Sequence, residues 1–441
     1  MALAKASNRS PRLTEGLNQG DAEERRCSKK KSKICTDFSE NSEYADLAEK
    51  VFQDVNAAFE RDELIDEFDI VPVESKANHS PVLHVASEHK LALEAWCVPY
   101  LFTHSYKSFL AVRRKQKCSL SSLISSTNPS KYGSFKASNF SESDRINRGL
   151  VLSRTLVLLN PDITMAWNFR RDFVPIVSPA ILEAELRLVS LVSTRKPKCP
   201  EGFVYRRWLI NQAFKNHLLL PETIGEWFPI EVKSIEIPIL KYFSNYHAWS
   251  YRMWLLQKIL YDQGIPLEQK LLVLESEVNC TDAWMNTQVS DYCGHHYRHK
   301  LLHLLQLTVP ENSSTTHHEK FIARMKKELD QNAKQIELYE GHESLWCHRR
   351  AVMKMLLEYL ADNGSDECNN SHSVIIKDLV YNEQKFVSLI ISDDNVAENS
   401  KERTTLNCNH CRKYVAWTNA QFSKFNWQLS TNDFNSSQSC I

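Results

Sequence analysis

The chain has 441 residues, 42% of them apolar and 24% charged, which is the composition of folded protein rather than of a disordered segment. Glycine is scarce at 10 residues. Rossmann sheets, β-sandwiches and phosphate-binding loops all need it at turns, so the chain reads as helices joined by short polar connections. Lys+Arg and Asp+Glu both total 54, and a chain with no basic excess is a poor general nucleic-acid binder.

Residues 1–42 form a polar tail, predicted to be disordered, in which six of the nine residues from Arg25 to Lys33 are basic. That run reads as a solvated tail, or as a nuclear address or a patch for anionic surfaces. No apolar segment of the signal-peptide kind follows Met1. Residues 43–118 are predicted to be a largely helical segment. Val51, Val55, Ala58 and Phe59 share one helical face, 65–85 is extended or irregular, and a second helix covers Leu91 to Arg114. Its most apolar run, Ala95 to Phe102, contains Pro99 and falls short of the ~20 residues a membrane span needs. Residues 119–147 are read as a disordered insert, since positions 119–143 hold ten serines. The repeats described next occupy 148–360. After them come a loop insert (361–373), a helix (374–392), a loop (393–409), a helix (410–430) and a disordered tail (431–441). The twelve cysteines are scattered, and without a leader the expected location is cytoplasmic, with reduced thiols.

Self-comparison gives the strongest signal. NPDITMAWNFRR (160–171) recurs as KCPEGFVYRRW (198–208), NYHAWSYRMW (245–254), SDYCGHHYR (290–298) and GHESLWCHRR (341–350). In each, a turn precedes a large residue, and Arg follows three positions later. The pairs are Trp167/Arg170, Phe203/Arg206, Trp249/Arg252, His295/Arg298 and Trp346/Arg349. Arg spacings of 36, 46, 46 and 51 residues suit one helical hairpin per repeat. Turn and cap chemistry at Asn160-Pro161-Asp162, Ser244-Asn245 and Gly341-His342-Glu343 predicts a helix starting just before each large residue. A preceding helix ends at each turn: 151–159, 181–193, 235–243, 271–278 and 321–338. The expected class is all-α, an α-α superhelix of five antiparallel pairs. The indoles would fill the gaps between pairs. The arginines would satisfy carbonyls at the next repeat's turn, or project toward a partner.

These x-Trp-x-x-Arg repeats, with Asn-Tyr-His-Ala-Trp in one of them, resemble the α subunits of protein prenyltransferases. Asn78-His79-Ser80-Pro81-Val82-Leu83, Leu93 to Val98 and Gly341 to Arg350 extend the likeness to roughly 45–115 and 148–360. The resemblance implies a crescent of hairpins around a β subunit that carries zinc and most of the isoprenoid pocket. The α subunit, inactive alone, lends donors near the diphosphate. Specifically, it implies the α subunit of a heterodimeric protein geranylgeranyltransferase that uses geranylgeranyl diphosphate. The implied partner is the β subunit of Rab geranylgeranyltransferase, and the implied acceptor is a C-terminal cysteine of a farnesylated SNARE. Lys198, Tyr246 and His247 fall where the family's motif places its diphosphate and acceptor rim. The chain departs from the pattern at Pro200, where tyrosine is usual, at Phe203 and at His295. Two rivals stay open: a helical scaffold without catalytic role, and the α subunit of a farnesyl or type I geranylgeranyl transferase.

Other signals are weak. Cys408-Asn409-His410-Cys411 has zinc-like spacing but no second pair, and His295, His296 and His299 lack an accompanying carboxylate motif. No metal is expected on this chain. The C-terminal Ser439-Cys440-Ile441 is not a prenylation box.

Overall fold

The computed structural model describes residues 42–73, 80–125, 141–308, 315–362, 369–392 and 401–425. The basic tail (apart from Ser42) and the C-terminal tail lie outside them. The chain divides into two compact units, the first holding Val204–Leu209 with everything up to Lys196, the second holding Pro197–Phe203 with everything from Ile210.

The first unit opens with α1 (Ser42–Arg61), whose Val51, Val55 and Ala58 are buried as the periodicity predicts, while Phe59 on the same face is half-buried. Three short strands follow, β1 (Glu67–Val71), β2 (Val82–Val85) and β3 (Lys90–Glu94), in the order β1-β3-β2 with β1 parallel and β2 antiparallel to β3. This corrects the helix expected from Leu91. Lys90–Glu94 alternates, burying Leu91 and Leu93, and helix α2 (Val98–Ser125) begins only after a short 3-10 turn. Asp62, buried at the end of α1, takes His84 Nε2 at 3.1 Å and His89 Nδ1 at 2.9 Å, tying the sheet to that helix.

The expected insert at 119–147 is narrower than its serines suggested. Helix α2 runs to Ser125 and α3 (Glu142–Leu159) starts at a Ser141/Asp144 capping box, so only 126–140 lie outside the described residues. Helices α4 (Thr164–Phe173) and α5 (Pro179–Arg195) complete the unit with part of α6 (Pro200–Lys215). The sheet leans on α5, where Thr194 Oγ1 accepts from the Phe68 amide at 3.1 Å.

The second unit holds the rest of α6, then α7 (Ile224–Lys241), α8 (Tyr246–Tyr261), α9 (Leu267–Thr287), α10 (Tyr292–Thr308), α11 (Thr315–Leu338), α12 (Glu343–Asp362), α13 (Asn369–Ser392) and α14 (Lys401–Phe422). Its C-terminal core packs Leu345, Trp346, Leu356, Phe386 and Tyr414 together. The last pair is longer than predicted: α13 begins inside the expected 361–373 loop, and α14 begins inside the expected 393–409 loop. Apart from the small sheet, the regular structure among the described residues is helical. The fold class is all-α, of the α-α superhelix type built from hairpins.

Candidate functional site at the hairpin turns

The second helix of each hairpin starts three residues before its large residue: Thr164 for Trp167, Pro200 for Phe203, Tyr246 for Trp249, Tyr292 for His295 and Glu343 for Trp346. The cap sets this register. Asn245 Oδ1 accepts from the Ala248 amide at 3.3 Å, and Asp291 Oδ1 from the Gly294 amide at 3.1 Å. Pro200 takes the first helical position, where a missing N–H leaves nothing unpaired. The large side chain then enters one turn into the helix and is buried in every repeat. Trp167 Nε1 donates to Pro161 O at 2.8 Å, Trp249 Nε1 to Asp291 Oδ2 at 2.9 Å, and Trp346 Nε1 to Asn407 Oδ1 at 2.9 Å.

The arginines do not project toward a partner, nor do they serve the next repeat's turn. Arg170, Arg206, Arg252, Arg298 and Arg349 are all buried. Each of Arg170, Arg206, Arg298 and Arg349 gives Nη1 to a carbonyl twenty residues earlier, on Leu150, Leu186, Val278 and Leu329. Arg170, Arg252, Arg298 and Arg349 also bind a buried carboxylate on the next hairpin's first helix: Arg170–Glu185, Arg252–Glu277, Arg298–Glu328 and Arg349–Glu383. The same carboxylates accept from a ring on the second helix of their own hairpin. Tyr205, Tyr297, His348 and Tyr414 reach Glu185, Glu277, Glu328 and Glu383, and Tyr251 reaches Glu231. Burial pulls Arg252 down, but Glu277 outweighs it and holds the guanidinium well above its ordinary range. Sequence reading found the guanidinium half of this ladder and missed the carboxylates. Their signal is a fixed register: a Glu twenty residues before the Tyr or His that precedes the repeat Arg. In the first hairpin that register holds Gly149 and Phe169 instead.

The rim candidates lie on the turn edge of the second unit. Lys198 is exposed, with Nζ 3.2 Å from the Tyr242 hydroxyl and 4.8 Å from its ring centroid. Among the described residues no carboxylate pairs with it. Tyr246 is 65% exposed at the first position of α8. His247, half-buried, stacks on Phe203 with centroids 6.5 Å apart. Asn245 Nδ2 donates to Pro197 O at 2.9 Å, which holds the Lys198 turn beside the Tyr246–His247 turn. The next turns are joined likewise: Ser244 Oγ lies 3.1 Å from Asp291 Oδ1, and Ser290 Oγ 2.6 Å from His342 Nδ1. The structure therefore brings the three predicted residues to one edge and adds Tyr242. An exposed ammonium held against one phenol, on the same edge as Tyr246 and His247, can meet an anionic oxygen arriving from outside.

His295, the repeat's substitute for an aromatic, is not on that rim. It is buried, with Nε2 2.9 Å from Val289 O, beside His348, whose Nδ1 lies 2.8 Å from His299 Nε2. Burial, then His348, pushes His295 down to about 4. Cys408 and Cys411 are buried in α14, and burial raises the Cys411 thiol to about 12. Among the described residues no group of three or more His, Cys, Asp or Glu side chains is placed to hold a metal ion. No described helix is long and apolar enough to cross a membrane.

Comparison with known proteins agrees with the repeat. The family model for the protein prenyltransferase alpha subunit repeat matches residues 231–259 and 325–356, that is, parts of α7–α8 and α11–α12. Protein prenyltransferase alpha subunit repeat-containing protein 1 of Homo sapiens is 30% identical over 71% of this chain and 78% of its own length. The Danio rerio protein of that name is 29% identical over 82% and 86%. The geranylgeranyl transferase type-2 subunit alpha of Candida albicans is 22% identical over 35% of this chain and 43% of its own. With the turn–aromatic–arginine hairpins and their register in place, the chain belongs to the protein prenyltransferase alpha subunit repeat family.

Proposed function

We propose that the chain is the α subunit of a heterodimeric protein geranylgeranyltransferase, inactive alone, whose β subunit is the one that serves Rab geranylgeranyltransferase. The donor is geranylgeranyl diphosphate. The acceptor is a C-terminal cysteine on a protein that already carries a farnesyl group, a SNARE being the expected class. When bound on the partner, zinc lowers the acceptor thiol's pKa. In the transfer a thiolate forms a C–S bond to the allylic carbon while the C–O bond to diphosphate breaks, so negative charge grows on the leaving oxygens. Lys198 Nζ answers that charge, Tyr242 holds the ammonium in place, and Tyr246 and His247 offer further donors.

The observation that supports this reading is the commitment of the charges. The repeat arginines are spent inside the protein, whereas Lys198 stands exposed and, among the described residues, has the Tyr242 ring and hydroxyl against it and no carboxylate. Pro200 favours a second reading, a scaffold that kept the hairpins and lost the rim chemistry, because the first turn of α6 offers no hydroxyl there. Co-expression with candidate β subunits, co-purification and transfer of isoprenoid to cysteine-ended peptides separates the two. The proposal expects a stable heterodimer that transfers geranylgeranyl, and Lys198→Ala is expected to slow transfer at least tenfold while leaving the heterodimer intact. A heterodimer that transfers nothing favours the scaffold, transfer of farnesyl instead favours the other enzyme class, and full activity of Lys198→Ala removes Lys198 from the site.

A further inference from the structure

The first unit contains a cavity of about 500 Å³ between α1, the loop that follows it, α3 and α5. Its accessible apolar surface comes from Phe59, Ala180 and Ala184, backed by the buried Ile65, Leu188 and Leu191. Three guanidinium groups face it, and they are not equally engaged. Arg170 uses four of its five N–H donors on both oxygens of Glu185, on Leu150 O and on Ser153 Oγ. Arg187 bonds Glu183 and Glu63 O. Arg154 has five N–H donors and, among the described residues, one acceptor, Asn56 Oδ1, besides the Phe59 ring 4.1 Å from its guanidinium carbon. Its Nε is buried without a partner, and among the described residues it has no carboxylate in ion-pair contact. A buried donor left unmet is uncommon enough in folded proteins to need a cause. Burial first, and then Arg170 beside it, pull the Arg154 guanidinium down to about 10.

The carboxylates on the cavity sort the same way. Glu185 belongs to Arg170 and Tyr205, and Glu183 to Arg187. Glu60 and Glu63 are exposed and, among the described residues, their side chains carry no ion pair or hydrogen bond. What remains is one half-buried cation inside and two exposed carboxylates without a hydrogen-bond partner, of which Glu60 acts on Arg154 only through space, partly offsetting the pull of burial and Arg170. A pure anion meets Arg154 but is repelled by Glu60 and Glu63, and a pure cation leaves Arg154 unmet. From this juxtaposition we infer that the cavity is a binding site for a small zwitterion of the amino-acid or short-peptide kind. Its carboxylate enters first, onto Arg154. Its apolar side chain lies on Phe59, Ala180 and Ala184, and its ammonium stays beside Glu60 and Glu63. This inference does not depend on the transferase reading.

The test is titration calorimetry on the full chain with three probes of one shape: leucine, leucinamide, which lacks the anion, and 4-methylpentanoate, which lacks the cation. The expected result is saturable binding of leucine, with both analogues at least tenfold weaker. Arg154→Met is expected to abolish binding. Because that variant disturbs a half-buried site, Glu60→Gln/Glu63→Gln, made at two exposed positions, serves as the second arm. It is expected to weaken leucine about tenfold and to leave 4-methylpentanoate unchanged or tighter. The inference is overturned if leucine does not bind, if 4-methylpentanoate binds as well as leucine, or if the double variant leaves leucine affinity intact.

Discussion

Replacing Glu277 by glutamine tests the ladder directly, because it keeps the volume and removes the charge. Glu277 is 2% exposed; it accepts Arg252 Nε at 2.7 Å, Arg252 Nη2 at 2.8 Å and the Tyr297 hydroxyl. In Glu277→Gln one amide oxygen still serves Tyr297, but Arg252, itself 1% exposed, keeps its burial without a counter-ion. Removing one partner of such a pair costs roughly 3–5 kcal/mol, whereas replacing the whole group by apolar side chains of similar volume is often neutral or stabilising. The triple variant Arg252→Met, Glu277→Leu, Tyr297→Phe leaves no buried polar group in need of a partner and is expected to lose less than about 2 kcal/mol. The chain has two units, so global melting is not a two-state measurement. Amide hydrogen exchange of peptides from α8, α9 and α10 reads the local loss instead. A loss below about 1 kcal/mol in Glu277→Gln, or a triple variant worse than the single one, would refute the claim that charge pairing joins these hairpins.

The histidines around Glu328 predict acid sensitivity. Burial and then His348 lower His295 to about 4, and burial followed by His348 and His295 lowers His299 to about 2, against an ordinary value of 6.5. The unfolded chain therefore takes up protons below about 6.5 that the folded chain refuses. Stability contributed above that pH falls as pH drops, by about 1.4 kcal/mol per pH unit for each proton, and for His295 the fall levels off near pH 4. Exchange of α10 and α12 peptides across pH 7 to 4 checks this, and a His299→Gln variant is expected to flatten the slope; an unchanged slope refutes the assignment. Gly149→Ala sets a methyl against the Phe169 ring, whose Cε1 would lie 2.6 Å from it, and is expected to cost about 1–3 kcal/mol, read by exchange of α3 and α4.

The hairpins were legible because their signals are local. A cap residue, a large side chain one turn later and an arginine three positions on all fit within one window, and each predicted start agrees with the structure. Lys90–Glu94 misled for the opposite reason. Its strand character comes from pairing with Glu67–Val71 across the intervening chain, and a window starting at Leu91 sees only apolar residues running into a true helix. The carboxylates of the ladder were invisible singly, since one Glu in a helix reads as a solvated face; only the twenty-residue register to the following ring marks Glu185 or Glu277 as buried. At the rim, Lys198, Tyr246 and His247 came from motif position. Tyr242 was missed because it sits at the end of α7, outside the repeat motif, and meets Lys198 only after the hairpins stack.

The two ends of the ladder differ from its middle. In the first hairpin the carboxylate–phenol register is filled by Gly149 against Phe169, and in the last hairpin Tyr414 is followed by Val415 where the other repeats place arginine. The series thus opens on a hydrocarbon contact and closes with no cation to hand onward. The first hairpin is therefore covered by the chain's own α2, whose Phe109 meets the Phe169 ring edge-on at 5.2 Å, and not by another charged rung.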